Sequence, residues 1–147
     1  MDVTQRSEAL IVDDSALLLM VVGEMFEDAG YRVLAASSGD AALKILESQA
    51  SSIAILFSDI NMPGEVDGVK LAQIAASRWP HISTILSSGQ SRSDVQDIPS
   101  SCRYLGKPFT YASLTSLLQS SELTSASAAT PSALRAFEGN SGLDAQA

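Results

Sequence analysis

Residues 53–68 read IAILFSDINMPGEVDG, and this stretch decides the fold. Ile53 to Phe57 are apolar without a break. A run that short, with no polar residue at alternate positions, suits a strand buried on both faces of a parallel sheet. Asp59 to Asp67 then reads as a loop, marked by Pro63 and Gly64. Asp67 can cap a following helix that turns Leu71, Ile74 and Ala75 inward. Strand, acid-bearing loop and helix in that order form one unit of an α/β fold.

The flanks repeat the pattern. Upstream, Ala9 to Val12 is a buried strand, and Leu18, Val21, Val22, Met25 and Ala29 follow at helical spacing. Ser15 is placed to cap that helix and Gly30 to stop it. Val33 to Ala35 is a short second strand. Ser38 opens a helix through Leu46, with Ala42, Ile45 and Leu46 on one face. Downstream, Trp79-Pro80 ends the third helix and Ile82 to Leu86 is a fourth strand. Tyr104-Leu105 marks a fifth, and Thr110 caps a last helix carrying Leu114, Leu117 and Leu118. Ser91 to Ile98 is assigned to a fourth helix, on only two apolar anchors, Val95 and Ile98. Five strand–helix units predict a parallel sheet with helices on both faces.

Composition narrows the partners. Of 147 residues, 46% are apolar, enough for a core, and the net charge is -8. That charge argues against nucleic acid as a direct partner. Cys102 is the single cysteine, so no intramolecular disulfide can form, and a cytoplasmic setting is expected. The start, MDVTQRSEALIVDDS, lacks the apolar stretch of a signal peptide, and no segment approaches the ~20 apolar residues of a membrane span. After Glu122 the texture changes to LTSASAATPSALRAFEGNSGLDAQA, rich in alanine, serine and small polar residues. The expected organisation is a folded domain over residues 1–121 and a flexible tail over 122–147.

In open parallel sheets, sites form at the carboxyl ends of the strands. Here those ends carry Asp13-Asp14, Asp59, Ser87-Ser88 and Lys107 followed by Pro108. Three carboxylates brought together repel one another and call for a cation. Hard oxygen ligands with room for water suit Mg²⁺. The metal and Lys107 together offset charge on a phosphoryl group in flight, and Ser88 can donate a hydrogen bond to it.

With those residues in view, the chain resembles the receiver domain of two-component response regulators. The matching pieces are LIVDDS at 10–15, SDINMPGEVDG at 58–68, ILSSG at 85–89 and YLGKPF at 104–109, and they span residues 7 to about 121. The resemblance implies a doubly wound, flavodoxin-like sheet of strand order 2-1-3-4-5. It makes Asp59 the phosphoacceptor and Asp14 a direct Mg²⁺ ligand. Asp13 reaches the metal through water, and the main-chain carbonyl of Asn61 completes the site. Ser88 becomes the switch hydroxyl, with Ser87 as a competitor, Tyr104 its aromatic partner and Lys107 the phosphate-pairing lysine. Lys107-Pro108 becomes a cis peptide. The phosphoryl donor would be a histidine kinase or a histidine phosphotransfer protein. The expectation is a chain without an output domain, as in the single-domain class, which signals by docking to a downstream protein. Two departures stand out: serine at 88 where threonine is commoner, and a span from Ser88 to Lys107 a few residues short.

Each residue also has a plainer role. Asp13-Asp14 can be a helix-capping turn, Asp59 a loop acid, Ser88 a strand-end hydroxyl, Lys107 a solvated lysine and Tyr104 a core residue with a polar tip. Cys102 reads as an inert thiol, His81 as idle, and Trp79 as packing beneath the third helix. Two other functions compete. An aspartate-nucleophile phosphatase needs a second aspartate two residues after the nucleophile, where this chain has Asn61. A pure interaction module that keeps the fold without the chemistry would be expected to lack one of the five key residues, and all five are present.

Overall fold

The five apolar runs are the strands of one parallel sheet. The structure is a computed structural model, and it describes residues 7–119. The strands are β1 (Glu8–Val12), β2 (Arg32–Ala36), β3 (Ile53–Asp59), β4 (Ser83–Ser88) and β5 (Arg103–Gly106). Their order is β2-β1-β3-β4-β5, as expected. The helices between them are α1 (Ala16–Asp28), α2 (Gly39–Gln49) and α3 (Gly68–Arg78). The fold divides between Phe109 and Thr110. Of the second unit, residues 111–119 are helical, and the tail assigned to 122–147 lies outside the described residues.

Local chemistry sets the helix ends. Ser15, Ser38 and Asp67 each accept, through the side chain, from the N–H three residues on, at 3.3, 3.1 and 2.9 Å. Each such cap is worth about 1 kcal/mol. The last helix starts with a reciprocal pair: the Ser113 N–H donates to Thr110 Oγ1 and the Thr110 N–H to Ser113 Oγ, both at 3.0 Å. In that helix Leu114 and Leu118 are buried, while Leu117 is half-buried.

The sheet has a core on each face. On one side Leu10, Val12 and Leu56 pack with Leu46 of α2 and Leu71 and Ala75 of α3, and Trp79 packs at the margin of this cluster. The Arg78 guanidinium lies 4.4 Å over the Trp79 ring. On the other side Phe57 meets Phe26 of α1 edge-on at 5.6 Å and Phe109 at 5.8 Å. Burying a side chain of this size contributes roughly 1.5–3 kcal/mol. His81 is tied by Nε2 to the Ala50 carbonyl at 2.8 Å, beside the start of β3 and so at the far end of that strand from Asp59.

The expected fourth helix is absent. Between β4 and β5 the chain makes only a 3-10 turn at Arg92–Asp94. Val95 and Ile98 do anchor, packing against Ile60, Ala72 and Leu86. Two apolar residues three apart cannot cover a helix face, and Pro99 closes the stretch. The strap is instead tethered by Gln73 of α3, whose Nε2 donates to the Asp97 carbonyl at 2.9 Å. Asp97 itself takes a left-handed conformation, φ 67°, which an aspartate tolerates better than most residues.

Two glycines let the loop after β3 sit close to its neighbours. A Cβ on Gly68 would lie 2.2 Å from the Asp59 carbonyl oxygen, and one on Gly39 would lie 1.9 Å from that of Val66. Any other residue at either place would push the loop that follows Asp59.

Candidate functional site

Parallel strands all finish at one edge, so their last residues meet there. Asp59 is the final residue of β3, and Asp13 follows β1 directly. Asp13 is only 3% exposed and Asp59 only 7%, while Asp14 faces solvent. One oxygen from each of Asp13, Asp14 and Asp59 lies within 4.8 Å of the others.

Lys107 is the cation that meets them. Its Nζ is 3.3 Å from Asp59 Oδ1 and 3.6 Å from Asp13 Oδ2. The Lys107 N–H donates to the Ser88 carbonyl at 2.8 Å, which holds the lysine to the end of β4. The Lys107-Pro108 peptide is cis. Asp13 also shapes the turn after β1. Its Oδ1 accepts from the Ser15 N–H at 2.9 Å, so the capping turn and the acid cluster share one residue.

The charge balance is incomplete. Burial pushes the Asp59 carboxyl above its ordinary value; Lys107 pulls it down, and Asp13 pushes it up again. The Asn61 N–H also hydrogen-bonds to Asp59 and favours its charged form. Three acids against one ammonium leave room for a further cation. The donor set is all oxygen, with one acid open to solvent, and such a set suits a hard divalent ion that keeps waters.

Beyond the acids lies a hydrogen-bonded chain. Ser88 Oγ accepts from Asn61 Nδ2 at 3.5 Å and from the Gln90 N–H at 3.1 Å. Neither bond uses the Ser88 proton. The Tyr104 hydroxyl donates to the Gln90 carbonyl, and Tyr104 packs against the cluster of Ile60, Ala72 and Leu86. Cys102 borders the same cluster, and burial pushes its thiol up to about 11, so it stays protonated near neutral pH.

The structure therefore brings Asp13, Asp14, Asp59, Asn61, Ser88 and Lys107 together, with Tyr104 joined through Gln90. Sequence reasoning missed the Asn61 side-chain contact and the closeness of Gly68 to Asp59. The glycine that opens α3, directly after Asp67, was the one signal for the second. A loop amide gives no comparable signal for the first.

The family described as response regulator receiver domain matches residues 9–119. The chain is 31% identical over 115 residues to the response regulator protein FleR of Pseudomonas aeruginosa, covering 76% of this chain and 24% of that protein. It is 30% identical over 116 residues to the sensor kinase CckA of Brucella abortus, covering 77% of this chain and 12% of that one. The chain thus spans a quarter or less of these relatives. Among solved structures, a response regulator receiver protein from Sinorhizobium medicae superposes with a TM-score of 0.72 at 30% identity, covering 79% of this chain and 94% of that one. A response regulator receiver domain from Clostridium thermocellum gives 0.71 at 26% identity, covering 78% and 92%.

Proposed function

Because the chain belongs to the response regulator receiver family, we propose that it takes a phosphoryl group onto Asp59 from the phosphohistidine of a histidine kinase or phosphotransfer protein. A carboxylate oxygen of Asp59 attacks phosphorus, the P–N bond breaks, and the imidazole leaves with its electron pair. Lys107 moves from the carboxylates to the phosphoryl oxygens, whose charge it offsets. Ser88 uses its spare proton to donate to one of those oxygens. Asp13, Asp14 and Asp59, with the main-chain carbonyl of Asn61, would hold Mg²⁺, which supplies the positive charge that the acid cluster lacks.

The carrying observation is the setting of Asp59: nearly buried, 3.3 Å from Lys107 and inside the cluster of three acids. The protein turns over no separate substrate in this scheme; it makes and loses its own acyl phosphate. Its output is docking to a downstream protein, biased by Ser88, Gln90 and Tyr104. No helix among the described residues is long and apolar enough to cross a membrane, and the net charge of -8 disfavours a nucleic-acid target. A cytoplasmic location fits this scheme, because that is where histidine kinases present their phosphohistidine.

Acetyl phosphate with Mg²⁺ tests the proposal. Intact mass should show one added phosphoryl group, absent in Asp59→Asn. Labelling that persists in that variant would refute the assignment. An unlabelled parent would favour a receiver fold used only for binding.

A further inference from the structure

Ser87 lies one strand across from the acceptor and has no role in the scheme above. In β4 it is the registered partner of Asp59 in β3 and of Leu105 in β5. Registered residues of a parallel pair share a face, because side chains alternate along each strand. Two residues earlier the pair is Phe57 and Ile85, on the face that Phe26 and Phe109 cover. The two backbones are also tied here: the Ile60 N–H donates to the Ser87 carbonyl at 3.0 Å.

Ser87 is 0% exposed, and its Oγ is the one buried side-chain oxygen among the described residues without a hydrogen-bond partner. A buried hydroxyl left unpaired destabilises a fold, and an alanine there would avoid that cost. Ser88 is different: its oxygen is already engaged by Asn61 and Gln90. The two adjacent serines therefore do not duplicate each other.

We propose that Ser87 is a positioning residue for the acceptor: its hydroxyl turns to the Asp59 carboxyl and holds it when Lys107 leaves for the incoming phosphoryl group. This rests on the phosphoryl-acceptor reading of Asp59. Lys107 is shared between Asp59 and Asp13 at 3.3 and 3.6 Å. Once it pairs with phosphoryl oxygens, the Asp59 carboxyl loses that ion pair and keeps only the Asn61 N–H. A serine side chain has three staggered positions, and the neighbouring Asp59 offers acceptor oxygens on the same face. The hydroxyl is then unpaired in the resting state and satisfied during transfer. Stability is traded for function.

The test is labelling by acetyl phosphate with Mg²⁺ across parent, Ser87→Ala and Ser87→Thr, beside a melting curve for each. Ser87→Ala should melt at or above the parent temperature yet label roughly tenfold more slowly at saturating acetyl phosphate, the loss of one hydrogen bond to a charged group. The half-saturating concentration should stay unchanged. Ser87→Thr restores a hydroxyl and should recover most of the rate. If its extra methyl lowers the melting temperature, the alanine comparison alone decides. A Ser87→Ala protein that is more stable and labels at the parent rate overturns the proposal, because the hydroxyl would then be only a packing defect. A shift in half-saturation with the maximal rate unchanged overturns it too. A parent that takes no label overturns the functional reading, and this inference with it.

Discussion

Gly68→Ala puts a single methyl group between the acceptor and the helix that follows it. The new Cβ would stand 2.2 Å from the Asp59 carbonyl oxygen, 2.6 Å from the Ile60 Cα and 2.9 Å from the Asp59 carbonyl carbon. All three are backbone atoms, so no side chain can swing aside. The backbone must retreat by about 1 Å to reach van der Waals separation. The Gly68 N–H bond to the Ile60 carbonyl, now 3.0 Å, stretches with it. Overpacking of this kind costs about 1–3 kcal/mol, and the better helix propensity of alanine returns at most about 1 kcal/mol. A net loss near 1–2 kcal/mol lowers Tm by roughly 4–10 °C in a domain of this size. The larger effect is on chemistry, because a displacement of about 1 Å at a reacting group costs on the order of 100-fold in rate. Labelling by acetyl phosphate should therefore fall far more than stability does. Gly106→Ala is the control: nothing stands within 4 Å of its added Cβ. If Gly68→Ala melts with the parent and labels at its rate, the loop relaxes without moving Asp59, and the positional reasoning fails.

Burial raises the folded-state pKa of Asp59 above the ordinary 3.8 despite the opposing pull of Lys107. An acid raised on folding stabilises the fold at low pH, and that contribution is lost as pH climbs from 3.8 through the raised folded value. Asp59→Asn should thus melt higher than the parent at neutral pH in metal-free buffer, with the gap closing as pH falls toward about 4; a gap constant across that range would refute the account. Mg²⁺ should raise the parent Tm by binding the native acid cluster, and Asp14→Asn should shrink the rise; an undiminished response there would rule out this ligand set. With a beryllofluoride phosphate mimic, hydrogen exchange should change from Ser87 to Leu105 more than in α1 and α2. A change confined to loops touching the mimic, or a Ser88→Ala protein responding like the parent, would count against Ser88 as the relay.

The sheet was legible because buried parallel strands are apolar on both faces. Ala9 to Val12 and Ile53 to Phe57 are short apolar runs that suit such strands, and Ser15, Ser38 and Asp67 announce the helices by cap chemistry. The site was legible for a related reason: a polar residue at the end of such a run must emerge at the sheet edge, so the sequence alone places Asp13, Asp59, Ser88 and Lys107 together. The strap between β4 and β5 was harder. Val95 and Ile98 sit at a helical spacing and do pack inward, but a helix needs a covered face along several turns, and tertiary anchoring replaced it. Ser87 was legible only as a rival to Ser88. Whether a buried hydroxyl has a partner depends on neighbours from other strands, and a strand's own sequence does not carry that information.

The missing helix changes what kind of device this is. Where β4 and β5 are bridged by a helix, a nudge at one strand end moves a rigid rod and reappears at a distance. Here the bridge is a cord, pinned at Gln73 and at two apolar beads, Val95 and Ile98. A cord transmits tension and absorbs everything else. In the proposed scheme, motion starting at Ser88 reaches β5 at both ends of that four-residue edge strand, through the clasp from Gln90 to the Tyr104 hydroxyl and through the Lys107 N–H on the Ser88 carbonyl. Under the proposed function, a listener would press its ear to β5 itself, within a few residues of Asp59.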